Sequence, residues 1–457
     1  MGARLTDSSL YAHLWGTDEL RAVFDERARI ASWLEILAAL AESQAELGLV
    51  PATAAEAIAR EAKVESLDLA FVAAETRRTG HSTLGLIRDL QRVLPEEAAE
   101  WVYYGTTVQD LTDTWTALAI KAVGRVAWRD LRALEASALD LARTHRGTMM
   151  AGRTHGQSGS PITFGLKAAG WADELRRHLD RLREGAPRWL VGQLAGATGN
   201  LGFFGRAGPE LRQLFCHRLG LGDPGISWTT SRDRVVEFVH VLAMVASTLG
   251  RIGSEVYELQ RTEIGELREA ASTEGVGSIT MPHKRNPETS EHLVTLSRLV
   301  RAQHSVLLEG LIQEHERDGR GWKAEWVAFP EACLLAGASL AFGRSLLEGL
   351  EVDEAAMRRN LEASGFAASE RLLSALAPVL GKHRAQARLQ EMLASAHSEG
   401  IGLEEAVRAA DDVREALDAS ALADVFGPTD GGSSVAMVDA VLARAEAARA
   451  VQDDDWP

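Results

Sequence analysis

The chain has 457 residues, enough for two or three domains or one extended helical body. Its 49 basic against 65 acidic residues leave a net charge of −16, which disfavours a nucleic-acid partner, since phosphate contacts demand a basic face. Cys216 and Cys333 lack metal-type spacing, no secretory leader pattern opens the chain, and the longest apolar run, Phe238 to Leu249, is too short to span a bilayer. A reduced, cytoplasmic protein with no membrane attachment, metal or cofactor is expected.

Alanine, leucine, glutamate and arginine dominate and aromatics are only 6%, a composition that leans helical. Up to about residue 105 the pattern is one of short helices. Leu20, Val23, Phe24, Ile30, Leu34, Leu37 and Ala41 recur at three- and four-residue spacing, with Ser8 and Asp18 as candidate caps, and Pro51 opens the next helix. Gly80-His81-Ser82 interrupts two helices, where a histidine is by default a solvated turn residue. Thr106 and Thr107 stand at the start of a helical pattern reaching about Arg146, and taken alone they are a hydroxyl-rich helix start.

Gly152 to Gly165 reads as a Gly/Ser-rich loop holding His155, followed by long helical patterns over residues 160–187 and 226–268. In the latter, Val235, Val239, Leu242, Val245, Leu249, Ile252, Val256 and Leu259 keep an apolar stripe suited to the middle of a bundle. One chain alone would leave much of such stripes wet, which points to association with further copies. Residues 286–316 form the next helix, with Glu288 and Glu291 in its first turns, where acids suit the helix dipole. Beyond it Arg320 and Lys323 read as solvated cations. From about Leu350 short helices lead to an acidic tail, Asp453 to Asp455, expected to be disordered.

The most informative stretch is Gly275 to Pro287, in which two glycines and two prolines frame Ser278, His283, Lys284, Arg285 and Asn286. It closely resembles the signature loop of the fumarase/aspartase superfamily, matching at Gly277, Ser278, Met281, Pro282, Lys284 and Asn286 and departing at Ile279. Gly105, Thr107, Gln109, Asp110, Asp113 and Thr114 resemble the family's second region, with Val108 in place of a serine that helps bind a substrate carboxylate. Thr154-His155-Gly156-Gln157, with Pro161, Thr163, Phe164 and Gly165, resembles the motif that carries the general-acid histidine of adenylosuccinate lyases; bacterial cycloisomerases have a tryptophan there. The Leu14-Trp-Gly-Thr17 stretch and the Trp322-Lys-Ala-Glu-Trp326 stretch resemble the carboxymuconate cycloisomerase branch, which speaks against purine recognition.

The resemblance covers nearly the whole chain and implies an all-α fold, a long-helix bundle flanked by two small helical domains, divided at 1–105, 106–350 and 351–457. It implies a homotetramer with a twenty-helix core and active sites shared among three subunits, acting on a small dicarboxylate. Removing a proton beside a carboxylate builds a doubly charged aci-carboxylate, which preorganised positive charge stabilises best. The resemblance gives that task to Lys284 and Asn286, makes Ser278 the base and makes His155, oriented by Glu291, the acid that protonates the leaving group. A neutral serine needs a cation, backbone N–H groups and loop closure to act as base. Thr106, Thr107, Thr154, Gln157 and His81 are the substrate-binding candidates, with Arg320 or Lys323 meeting a small acid. The implied reaction is an anti β-elimination that releases fumarate and a small nitrogen-containing group, nitrosuccinate being one specific substrate. A carboxymuconate cycloisomerase and a crystallin-like structural protein are the alternatives.

Overall fold

The computed structural model describes residues 4–270, 280–281, 283–363, 367–428 and 431–457. After α1 (Glu26–Glu46), five long helices make the frame: α2 (Val108–Thr144), α3 (Phe164–Trp189), α4 (Asp233–Leu259), α5 (Glu288–Glu309) and α6 (Gly319–Glu348). α2 packs on α3 and α6, and α4 packs on α3, α5 and α6, so the fold is the all-α bundle expected. Close approach is built in at glycines: a Cβ on Gly253 of α4 would sit 3.1 Å from the Ser290 carbonyl oxygen of α5. Among the described residues the only strands form two small antiparallel pairs, β1 (Met149–Thr154) with β2 (Gln157–Thr163), and β3 (Leu267–Arg268) with β4 (Glu351–Val352).

Several expectations are corrected. Residues 152–165 are not an irregular loop, and 160–163 are not helical, because they pair as a β-hairpin that runs directly into α3. Asp18 opens its helix from inside; the caps are Thr17 and Asp25, whose side-chain oxygens accept N–H groups of the following turns, while Ser8 caps only a turn. The eight stripe residues of α4 are all buried within a single chain, so they give no argument for association. α4 and α6 are long and apolar enough to cross a membrane, but 72% and 67% of their apolar windows lie inside the protein.

The end of the chain is also ordered. A second small core forms around Leu372, Leu376, Leu389, Val407 and Val413, after which α7 (Ser434–Ala450) returns to pack on α3. The acidic tail is tied to α2: the Trp128 indole donates to the Asp454 carbonyl (3.0 Å), and Arg132 donates to the Asp453 carbonyl (2.6 Å). Trp456 is 4% exposed and lies against Gly124, where any side chain would collide with its ring.

Candidate active site

The start of α2 gathers the first group of site residues. Thr107 is the N-cap, and a capping box joins it to Asp110, whose Oδ2 accepts the Thr107 N–H and the Thr106 hydroxyl, each at 3.0 Å. The same carboxylate accepts the backbone N–H groups of Ala195 (2.8 Å) and Gly196 (3.1 Å). Burial pushes the Asp110 pKa up to about 7 against the pull of these four donors.

Onto this cap comes a residue that the sequence reading passed over. Arg317 is half-buried and donates from Nη1 to the Thr107 hydroxyl (2.9 Å) and from Nη2 to the Gly196 carbonyl (3.2 Å). It has no ion pair among the described residues, and its buried Nε has no partner. Beside it the Tyr103 phenol lies in the field of Asp110 and Arg317, its pKa raised by burial. Tyr103 and the neighbouring Thr83 hydroxyl both lack a hydrogen-bond partner of normal geometry. The Arg317 Nε, the Tyr103 phenol and the Thr83 hydroxyl are buried polar atoms suited to meeting an anion. His81 adjoins this group, since its Nδ1 faces the Thr83 N–H at 3.4 Å, although the ring itself is exposed.

His155 stands elsewhere, at the tip of the β1–β2 hairpin. Thr154 pairs with Gln157, leaving His155-Gly156 as a two-residue turn with φ of 53° and 74°, the geometry of a type I′ hairpin. All four residues are exposed. One pair back from the turn Arg153 grips the fully buried Glu266 at 2.6 and 2.8 Å and holds this end of the hairpin. Among the described residues only Tyr103, His155, Leu201 and His315 combine a side chain with left-handed backbone. Tyr103 and His155 are in the groups just described and His315 lies two residues before Arg317, so strain is concentrated where ligand contacts are expected.

The signature loop forms the third group. Ser278 lies outside the described residues. Lys284 is exposed and its N–H closes a turn on the Met281 carbonyl (2.9 Å); the Asn286 amide donates to Glu288 (3.2 Å); Glu291 is exposed in the first turn of α5. Glu269, also missed from sequence, caps α5 from outside by accepting the N–H groups of Thr289 (3.1 Å) and Ser290 (2.7 Å). Arg285 reaches back to the Glu269 carbonyl oxygen (2.7 Å).

Among the described residues no hydrogen bond or ion pair links Thr107 or Arg317, His155, and the Lys284–Glu291 segment to one another within one chain. Arg320 is not at the Thr107 group, because Asp318 and Glu314 hold its guanidinium, and Lys323 is solvent-exposed on α6. Behind the first group Arg232 is wholly buried between Asp113 (2.9 and 3.0 Å) and Glu325 (2.6 and 2.8 Å), locking α2, α4 and α6 together. Burial opposes its charge, but the two carboxylates win and hold the guanidinium firmly protonated. Among the described residues no three His, Cys, Asp or Glu side chains converge as metal ligands would.

A bundle of long helices carrying a carboxylate-ready cap, a histidine hairpin and a cationic loop defines a class of lyases. A family model described as lyase matches residues 15–301. The N-acetyl-S-(2-succino)cysteine lyase of Dickeya dadantii is 40% identical over 386 residues, covering 84% of this chain and 85% of that protein. The nitrosuccinate lyase of Streptomyces davaonensis is 37% identical over 439 residues, covering 93% and 92%. The crystal structure of the 3-carboxy-cis,cis-muconate lactonizing enzyme from Pseudomonas putida superposes with a TM-score of 0.88 at 33% identity, covering 96% of this chain and 99% of that one. The chain belongs to the fumarase/aspartase superfamily of lyases.

Proposed function

We propose that the protein catalyses anti β-elimination from a 2-substituted succinate, releasing fumarate and a small leaving group bonded through nitrogen or sulfur. The observation that carries this reading is Arg317, an unpaired, half-buried cation fastened to the Thr107 hydroxyl at a helix N-terminus, a ready anchor for a carboxylate. Thr106, His81, Thr154 and Gln157 complete the substrate pocket in this reading. Ser278 removes the proton, Lys284 and Asn286 hold the aci-carboxylate, and His155, oriented by Glu291, protonates the departing atom. A sulfur or nitrogen leaving group accords with the similarity to enzymes named for N-acetyl-S-(2-succino)cysteine and nitrosuccinate.

In this reading each site is completed by other subunits of a homotetramer, which accords with the lack of any bond among the three groups of described residues in one chain. Exposed apolar side chains near the α5–α6 junction, among them Leu308, Ile312 and Val327, offer a surface for that assembly. The buried thiols of Cys216 and Cys333, whose pKa values burial raises, suit a reducing cytoplasm. A second reading, lactone formation as a carboxymuconate cycloisomerase, is favoured by the 0.88 TM-score. The deciding experiment follows fumarate absorbance with nitrosuccinate, N-acetyl-S-(2-succino)cysteine, aspartate, argininosuccinate and adenylosuccinate, alongside lactone formation from carboxymuconate. Fumarate from one of the first two, abolished by Ser278→Ala, is expected; lactone without fumarate would overturn the elimination.

A further inference from the structure

A cavity lies beside α2 and α6, the helices that Thr107 and Arg317 precede. It is a small cavity of about 100 Å³, walled by Trp115 of α2 and by Trp322, Trp326 and Phe329 of α6. α1 contributes Arg29 and Trp33. The Arg29 guanidinium stacks 4.5 Å over the Trp115 ring and makes no ion pair among the described residues. Its Nε and the Trp33 Nε1 are buried donors without partners. Burial lowers the Arg29 pKa and Glu26, one turn away, offsets this only in part, so the cation is under-compensated. Glu325 also faces the cavity, but both of its oxygens are already engaged by Arg232.

We propose that this cavity is a binding site for a small planar carboxylate, its apolar body held among Trp115, Trp322 and Trp326 and its charge met by Arg29 and the Trp33 N–H. Two unsatisfied donors beside an unpaired cation call for an acceptor that carries negative charge. Four tryptophans around them call for a flat apolar body. Thr112 stands five residues beyond Thr107, about 7.5 Å along α2, and Trp322 lies inside α6 while Arg317 precedes that helix, so the site is separate from the catalytic cluster. It does not depend on the elimination reading.

The test is calorimetric titration of the intact protein with benzoate, and with benzyl alcohol as the uncharged analogue. Saturable benzoate binding is expected, weakened by about tenfold or more in Arg29→Gln, since the charge-assisted contact is lost. It should weaken less in Trp33→Phe, which keeps an aromatic ring while removing the N–H and part of the indole, and stay unchanged in Arg317→Ala. Benzyl alcohol should bind more weakly and ignore Arg29. The proposal is overturned by absent saturation, by equal affinity for the two probes, or by benzoate binding that is lost in Arg317→Ala. If Arg29→Gln fails to fold, Trp33→Phe and the comparison of probes still decide.

Discussion

Arg317 and Thr107, 210 residues apart in sequence, are joined by a 2.9 Å hydrogen bond that brings the turn ahead of α6 onto the N-cap of α2. A forked guanidinium can hold Thr107 and a carboxylate at once, which a lysine ammonium cannot do in the same geometry. Arg317→Lys is therefore expected to lower kcat/KM for fumarate release by about 100-fold, a loss of about 3 kcal/mol of transition-state binding. Its melting temperature should stay close to that of the parent. A wild-type rate would remove Arg317 from the site.

His155→Ala separates leaving groups. An acid that protonates the departing atom matters most for a poor leaving group and little for nitrite, so the loss should range from a few-fold to about 1,000-fold across substrates. An equal loss for all substrates would argue against the role. Mixed subunits carrying Ser278→Ala or His155→Ala should regain activity if sites are shared, read as fumarate release after co-refolding.

How much of this was legible beforehand depended on local pattern. Long helices, the Thr107 start of α2 and the three chemical motifs could be read because each is written in contiguous residues. Arg317 could not, for nothing near it in sequence tells it from Arg320, and only the fold shows that Asp318 and Glu314 occupy one while the other meets Thr107. The hairpin was hidden because its turn uses His-Gly, and the α4 stripe misled because its partners are other helices of the same chain. The tail was misjudged from its charge, while Trp456 supplied the anchor.

The buried Arg232 should be the most costly charged residue to replace. Arg232→Met leaves Asp113 and Glu325 facing one another without a cation, and a loss of about 3–5 kcal/mol is expected in urea denaturation. Retention of parental stability would show that the carboxylates reorganise or protonate without cost.

His178 predicts a pH dependence. Burial, and then Arg181, lower its pKa from 6.5 to about 4, and its Nδ1 accepts from Arg181 while Nε2 donates to Thr248 (2.8 Å), a neutral ring. The unfolded chain takes up this proton first, so the stabilisation is complete above pH 6.5 and falls away as pH drops toward 4, by about 2–3 kcal/mol. His178→Gln should flatten that part of the stability profile; an unchanged slope would assign it to other groups.

Trp456→Ala should cost about 3–5 kcal/mol by emptying the notch at Gly124, measured by thermal or urea unfolding. A negligible change would mean that the tail rests on α2 without supporting it.

That notch also sets a schedule. The bond from Trp128 to Asp454 spans 326 residues. At about 5–20 residues per second a ribosome needs roughly 15–65 s between making one partner and the other. Throughout that interval the flank of α2 at Gly124 lacks the indole that covers it in the folded protein, so this contact forms only after the rest of the bundle has been made.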